Sequence, residues 1–164
     1  MATKQINVER FSVISRKSFQ DVLAVLDEGV GHPDMNAFRE SIGAATTLSE
    51  LERVIQPAIG PSGFMEFIRF DHGEVVHKGE TGEAPRIVRL VVGNPLVMRQ
   101  MVQHLQDAGS YAPVTILVDQ RPDGVHLSYA RVASFLAPYG NMEASKVALE
   151  LDAKVESLLA SAAR

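Results

Sequence analysis

Arg86-Ile87-Val88-Arg89-Leu90-Val91-Val92 runs directly into Gly93-Asn94-Pro95, and the stretch from Gly63 to Tyr129 around this junction decides the fold. Arg86 to Val92 is nearly continuous in Ile, Val and Leu, the signature of a buried strand. Asn94 can cap a helix, and Pro95 at its first position lacks only an N–H that would be unpaired anyway. Met98, Met101, Val102 and Leu105 give that helix an apolar stripe, and Gly109 ends it. Val114 to Val118 and Val125 to Tyr129 alternate as strands. Gln120 to Gly124 joins them as a hairpin, with Asp123-Gly124 as the turn dipeptide. Upstream, Phe64 to Phe70 is aromatic and β-branched and reads as a strand. Asp71-His72-Gly73 signals a turn, Glu74 to Lys78 a short return strand, and Gly79 to Pro85 a polar loop.

The flanks extend this pattern. Ile6 to Ile14 reads as an opening strand. Ser18 and Asp21 have capping-box spacing before Phe19, Val22, Leu23 and Leu26, and Gly29 and Gly31 end that helix. Pro33 fits the first turn of a helix carrying Met35, Phe38 and Ile42. Thr47 and Glu50 repeat the capping-box spacing before Leu51, Val54 and Ile55, and Gly60 to Gly63 is a loop. Asn141 can cap a long last helix, with Val147, Leu151, Val155 and Leu158 on one face and Ala144 and Ala148 widening it. The expectation is one α+β domain over residues 1–164. It has a mainly antiparallel sheet of about five strands, helices on one side, a long C-terminal helix, and an inserted helical segment at about residues 30–62.

Composition narrows the function classes. The chain has 164 residues, 46% of them hydrophobic and 22% charged, enough for a real core. A net charge of −4 supplies no basic field for a polyanion, so nucleic acid is not an expected partner. With no cysteine there is no disulfide, thiolate metal site or cysteine nucleophile. The polar start, Met1-Ala2-Thr3-Lys4-Gln5, is followed by no apolar signal core, and no apolar run is long enough to span a bilayer. The expected setting is cytoplasmic, without a membrane partner.

Several short motifs resemble the bacterial family known as domain of unknown function 302. They are Gly63-Phe64, Asp71-His72, Gly93-Asn94-Pro95 opening a helix, Ala112-Pro113-Val114-Thr115-Ile116-Leu117-Val118, Asp123-Gly124, and Val125-His126-Leu127-Ser128-Tyr129. Ser18-Phe19 leading the first helix fits as well. The resemblance runs from about Val8 into the last helix. It implies an α+β fold like the TATA-binding-protein superfold, often a homodimer, with no settled activity and no imported DNA binding. Members of that family pass from the first helix almost directly to the Gly-Phe strand, whereas here about thirty residues intervene. Those residues could cover a pocket or build a dimer face, and the alanine-lined last helix is a second candidate contact surface.

Five residues are candidates for a site. His72, at a strand end beside Asp71 and Gly73, is the candidate catalytic residue, because an imidazole there can transfer protons near neutral pH. The alternative is an exposed turn histidine. Glu66 and Arg89 each interrupt an apolar strand, where burial demands a partner, so they can pair or line a pocket; otherwise they face solvent. Asn94 sits at a helix N-terminus that could hold an anion, although Gly93-Asn94-Pro95 is not a phosphate loop. Tyr129 could donate to a ligand, or pack in the core with its hydroxyl satisfied. His72 and His77 could approach one another beside Glu66, Asp71 or Glu74, but no second metal-ligand spacing supports them and no metal is assigned. No hydrolase elbow, dinucleotide fingerprint or Walker loop is present, and the cofactor is unknown. The expectation is a small-molecule site with His72 as its polar anchor, capable of cofactor-independent acid–base chemistry. The alternatives are a dimeric protein-interaction module and a metal or haem binder.

Overall fold

The computed structural model describes Met1 and residues 3–164. Its elements in chain order are β1 (Arg10–Ser15), α1 (Phe19–Gly29), α2 (Met35–Ala44), α3 (Leu48–Ile55), β2 (Met65–Asp71), α4 (His72–His77), β3 (Ile87–Gly93), α5 (Pro95–Val102), β4 (Val114–Arg121), β5 (Gly124–Ala130), α6 (Val132–Leu136) and α7 (Met142–Ala163). The five strands form one antiparallel sheet in the order β1-β5-β4-β3-β2, so the class is α+β as expected.

Period-two alternation places Val88, Leu90 and Val92 of β3 beside Ile116 and Val118 of β4 and Leu127 and Tyr129 of β5 on one face. That face is the core. Phe19, Val22 and Leu26 of α1, Met101 of α5, and Ala148, Leu151, Val155 and Leu159 of α7 cover it. The alanine face of α7 is therefore used inside the chain, and Ala144, Ala148 and Ala162 are fully buried. It is not the contact surface that its small residues suggested.

Local capping works as the sequence implies. The Ser18 hydroxyl accepts from the Asp21 N–H, Thr47 and Glu50 form a full capping box, and Asn141 accepts from the Ala144 N–H. Two expectations are corrected. Residues 74–78 are not a return strand: Asp71 accepts from the Glu74 N–H at 2.8 Å and starts α4, while β2 pairs with the distant β3. The cap satisfies a backbone donor locally, which two exposed valines in a five-residue strand could not do. The hairpin is closed by Pro122 and Asp123, with Arg121 opposite Gly124. Gly124 has φ +143°, and a Cβ there would lie 2.5 Å from the Ser15 carbonyl oxygen, so glycine is needed where β5 passes the end of β1.

Residues 32–59 leave this frame and return to it. Gly31 and Gly60 both donate their N–H to the carbonyl of Phe64, at 2.9 and 2.8 Å. Between them, Phe38, Ile55 and Ala58 close a second small core with Met65. Part of the apolar side of this excursion is thus spent on its own chain.

Candidate functional site

A cleft of about 340 Å³ opens between the excursion and the end of the sheet. Met35, Phe38, Arg39 and Ile42 of α2 form one wall. The opposite wall is Gly93, Asn94 and the start of α5 at Pro95, Val97 and Met98. Ala112, Pro113 and Val114 lead in from β4, and Leu151 of α7 lies at the base. Phe67 completes the lining. It is the extra residue of a β-bulge between Glu66 and Ile68, and a bulge re-aims one side chain out of the regular alternation. Gly93 keeps the space open, since a Cβ there would meet Pro113 at 3.0 Å and the Phe67 ring at 3.4 Å.

Polar groups are sparse in the lining. Asn94 Nδ2 donates to the Gly63 carbonyl at 3.0 Å, and its Oδ1 accepts from the Leu96 N–H at 2.9 Å. Both ends of that amide are therefore occupied by the fold. Among the lining residues there is no carboxylate and no histidine, and Arg39 is the only charged side chain.

The five predicted site residues go to four different places. Asn94 alone reaches the cleft. His72 opens α4, and its ring lies parallel to that of Phe70 with centroids 6.2 Å apart. Arg89 lies over the same Phe70 ring, 5.7 Å from its centroid, so His72 and Arg89 do meet around one aromatic. Phe70 and Arg89 are cross-strand partners on the sheet face away from the helices. His77 lines a separate polar groove with Asp71, Glu74, Lys78 and Arg86. Among the described residues no three His, Asp or Glu side chains gather as a metal site.

Glu66 is paired, though not with Arg89. It accepts from Arg69 Nη2 at 2.6 Å and from Arg69 Nε at 3.1 Å, and Asp27 of α1 accepts from the same guanidinium. Burial works against the Arg69 charge, but the two carboxylates hold its pKa above the ordinary arginine value. This bridge ties α1 to β2.

Tyr129 is buried in the core, and its hydroxyl donates to Asp152 Oδ1 at 3.2 Å. Burial first, then the charges of Asp152 and Glu156, push its pKa far above the usual phenol range. The sequence reading missed Met35, Phe38, Arg39, Ile42 and Phe67 as cleft residues. The helical spacing of Met35, Phe38 and Ile42 marked an apolar stripe, but nothing local distinguishes a stripe that packs from one that borders a cavity.

Comparison with known proteins fits this architecture. The crystal structure of an uncharacterized conserved DUF302 protein from Bacillus stearothermophilus is similar, with a TM-score of 0.66, 14% identity, and coverage of 94% of this chain and 98% of that one. At that identity the likeness is one of fold. No curated protein matches the chain. The family profile "Domain of unknown function DUF302" matches residues 41–162, beginning within α2. With that much of the sequence matched, and the fold shared with a solved member, the chain belongs to the DUF302 family.

Proposed function

We propose that the protein binds a small, largely apolar molecule in the cleft beneath α2. The carrying observation is a concave space of about 340 Å³ walled by Phe38, Ile42, Phe67, Val97 and Leu151. Ligand sites have this character, a concave apolar lining with few polar groups. At roughly 30 Å³ per non-hydrogen atom in a liquid, it holds a molecule of about 11 such atoms. Binding is favoured over catalysis because no group in the lining can exchange a proton near neutral pH. The acid–base role expected of His72 has no support from the cleft, since His72 lies against Phe70 elsewhere. The test is an amide NMR titration with 1-octanol. Shifts concentrated at Ile42, Phe67, Val97 and Leu151, and lost in Ile42→Trp, support the reading. Shifts elsewhere, or shifts that survive the filled cleft, refute it.

A second reading, compatible with the first, is a homodimer through the uncovered face of the sheet. Ile14, Ile68 and Phe70 are 52, 48 and 40% exposed there. On that face Arg121 donates to Asp119 at 2.5 Å and His126 pairs with Asp123 at 2.8 Å, while Arg10 donates to the neutral Ser128 at 2.7 Å and Arg89 rests on the Phe70 ring with no carboxylate partner among the described ion pairs. A second copy covering this face would therefore have to bring acceptors to Arg10 and Arg89, since a buried charge without a partner is costly. Five strands of about six residues give a face of roughly 24 by 20 Å. With side-chain relief, that is of the order of the ~800 Å² per partner that stable interfaces take. Sedimentation decides it: Phe70→Glu should convert a dimer to a monomer, and an unchanged dimer would place the interface elsewhere.

A further inference from the structure

We infer that the molecule taken by the cleft is an anion, an apolar body carrying one carboxylate or similar acid group. This rests on the cleft being a binding site. The argument comes from the polar inventory of its walls. Only Arg39 and Asn94 bring polar side chains to the lining. Asn94 has both amide atoms engaged by Gly63 and Leu96 and has little left to offer a ligand. Arg39 has no carboxylate partner among the described ion pairs, and its polar contact is a long one, 3.5 Å to Asn36 Oδ1. The side chain free to choose the ligand's polarity is therefore a cation whose planar fork matches a carboxylate.

Two features act in the same sense. No acidic side chain lines the cleft, so nothing there offsets the guanidinium. The N-terminal end of α5, at Asn94, Pro95 and Val97, forms part of the wall, and helix N-termini carry partial positive charge. An apolar cation would meet both unfavourably. A neutral apolar molecule would gain the burial but not the ion pair.

The experiment compares octanoate, 1-octanol and octylamine, which share a chain and differ in head-group charge. Dissociation constants are read by amide NMR at low salt for the wild type, Arg39→Gln and Arg39→Lys. Octanoate should bind about fivefold more tightly than 1-octanol, as expected for an ion pair open to solvent on one side, and octylamine most weakly. The preference should shrink in 0.5 M NaCl through screening, vanish in Arg39→Gln and partly survive in Arg39→Lys. Arg39 is exposed on α2, so these variants leave the core untouched. Equal or tighter binding of 1-octanol overturns the anion inference while leaving the cleft a binding site. Failure of all three probes to reach the cleft overturns both.

Discussion

Asp152 is a carboxylate buried among backbone donors. It projects from α7 and accepts from the Val132 N–H at 2.8 Å, the Ala133 N–H at 2.9 Å and the Tyr129 hydroxyl at 3.2 Å. It thereby caps α6, which has no side-chain cap of its own. Asp152→Ala would strand one buried and one part-buried N–H group, and we expect a loss of about 2–4 kcal/mol in urea unfolding. Burial pushes the Asp152 carboxyl above the usual aspartate value of 3.8, against the pull of the two N–H groups. The folded protein therefore holds this proton more tightly than the unfolded chain. Its contribution to stability is complete below 3.8 and is lost as pH rises through the raised folded value. Relative to Asp152→Asn, which cannot titrate, the wild type should lose stability across that window; parallel profiles would show that the site does not titrate there. The same cluster explains why core packing with a satisfied hydroxyl was legible as one reading of Tyr129 while the partner of that hydroxyl was not. Its strand follows from local alternation, while its partner lies 23 residues away. Ser18, Thr47, Asn94 and Asn141 were legible as caps because their partners lie two or three residues on.

At the scale of elements, types were read from period and caps; β3 stands close to where its continuous apolar run put it, and β4 and β5 close to where alternation put them. Residues 74–78 misled because Asp71-His72-Gly73 was read as a turn, whereas the Asp71 side chain caps a helix there by accepting from the Glu74 N–H. The cleft was illegible for a related reason: α2 was visible as an amphipathic helix, but its placement depends on how the excursion is anchored. Gly31 and Gly60 set that anchor. A Cβ on Gly31 would lie 1.9 Å from the Ala58 carbonyl oxygen, and one on Gly60 would lie 2.5 Å from the Val30 carbonyl carbon. Backbone cannot yield as a side chain tip can, so Gly31→Ala should cost about 2–4 kcal/mol and weaken 1-octanol binding by displacing α2. Gly43, on the same helix, meets nothing within 4 Å. Gly43→Ala should instead stabilise by about 0.5–1 kcal/mol through helix propensity. Equal effects in the two variants would remove the steric argument for the anchor.

For the whole molecule, the decisive feature is that the cleft and the open sheet face depend on different parts of the chain. None of the buried residues of the main core lies between residues 32 and 59. The ends of that segment are adjacent, since a Cβ on Gly31 would lie 3.0 Å from the Gly60 nitrogen. A chain in which two glycines replace residues 32–59 should therefore keep its sheet and unfold cooperatively. It loses the α2 wall at Met35, Phe38, Arg39 and Ile42, and with it the binding of 1-octanol. Ile14, Ile68 and Phe70 remain where they were, so self-association through the sheet face should persist in sedimentation. Removing the segment also uncovers Met65 and Leu96, which touch the second core, and some loss of solubility is expected. Retained binding in the shortened chain would remove the excursion from the site. A monomer where the full chain is dimeric would instead assign residues 32–59 to the interface and leave the exposed sheet residues without a partner.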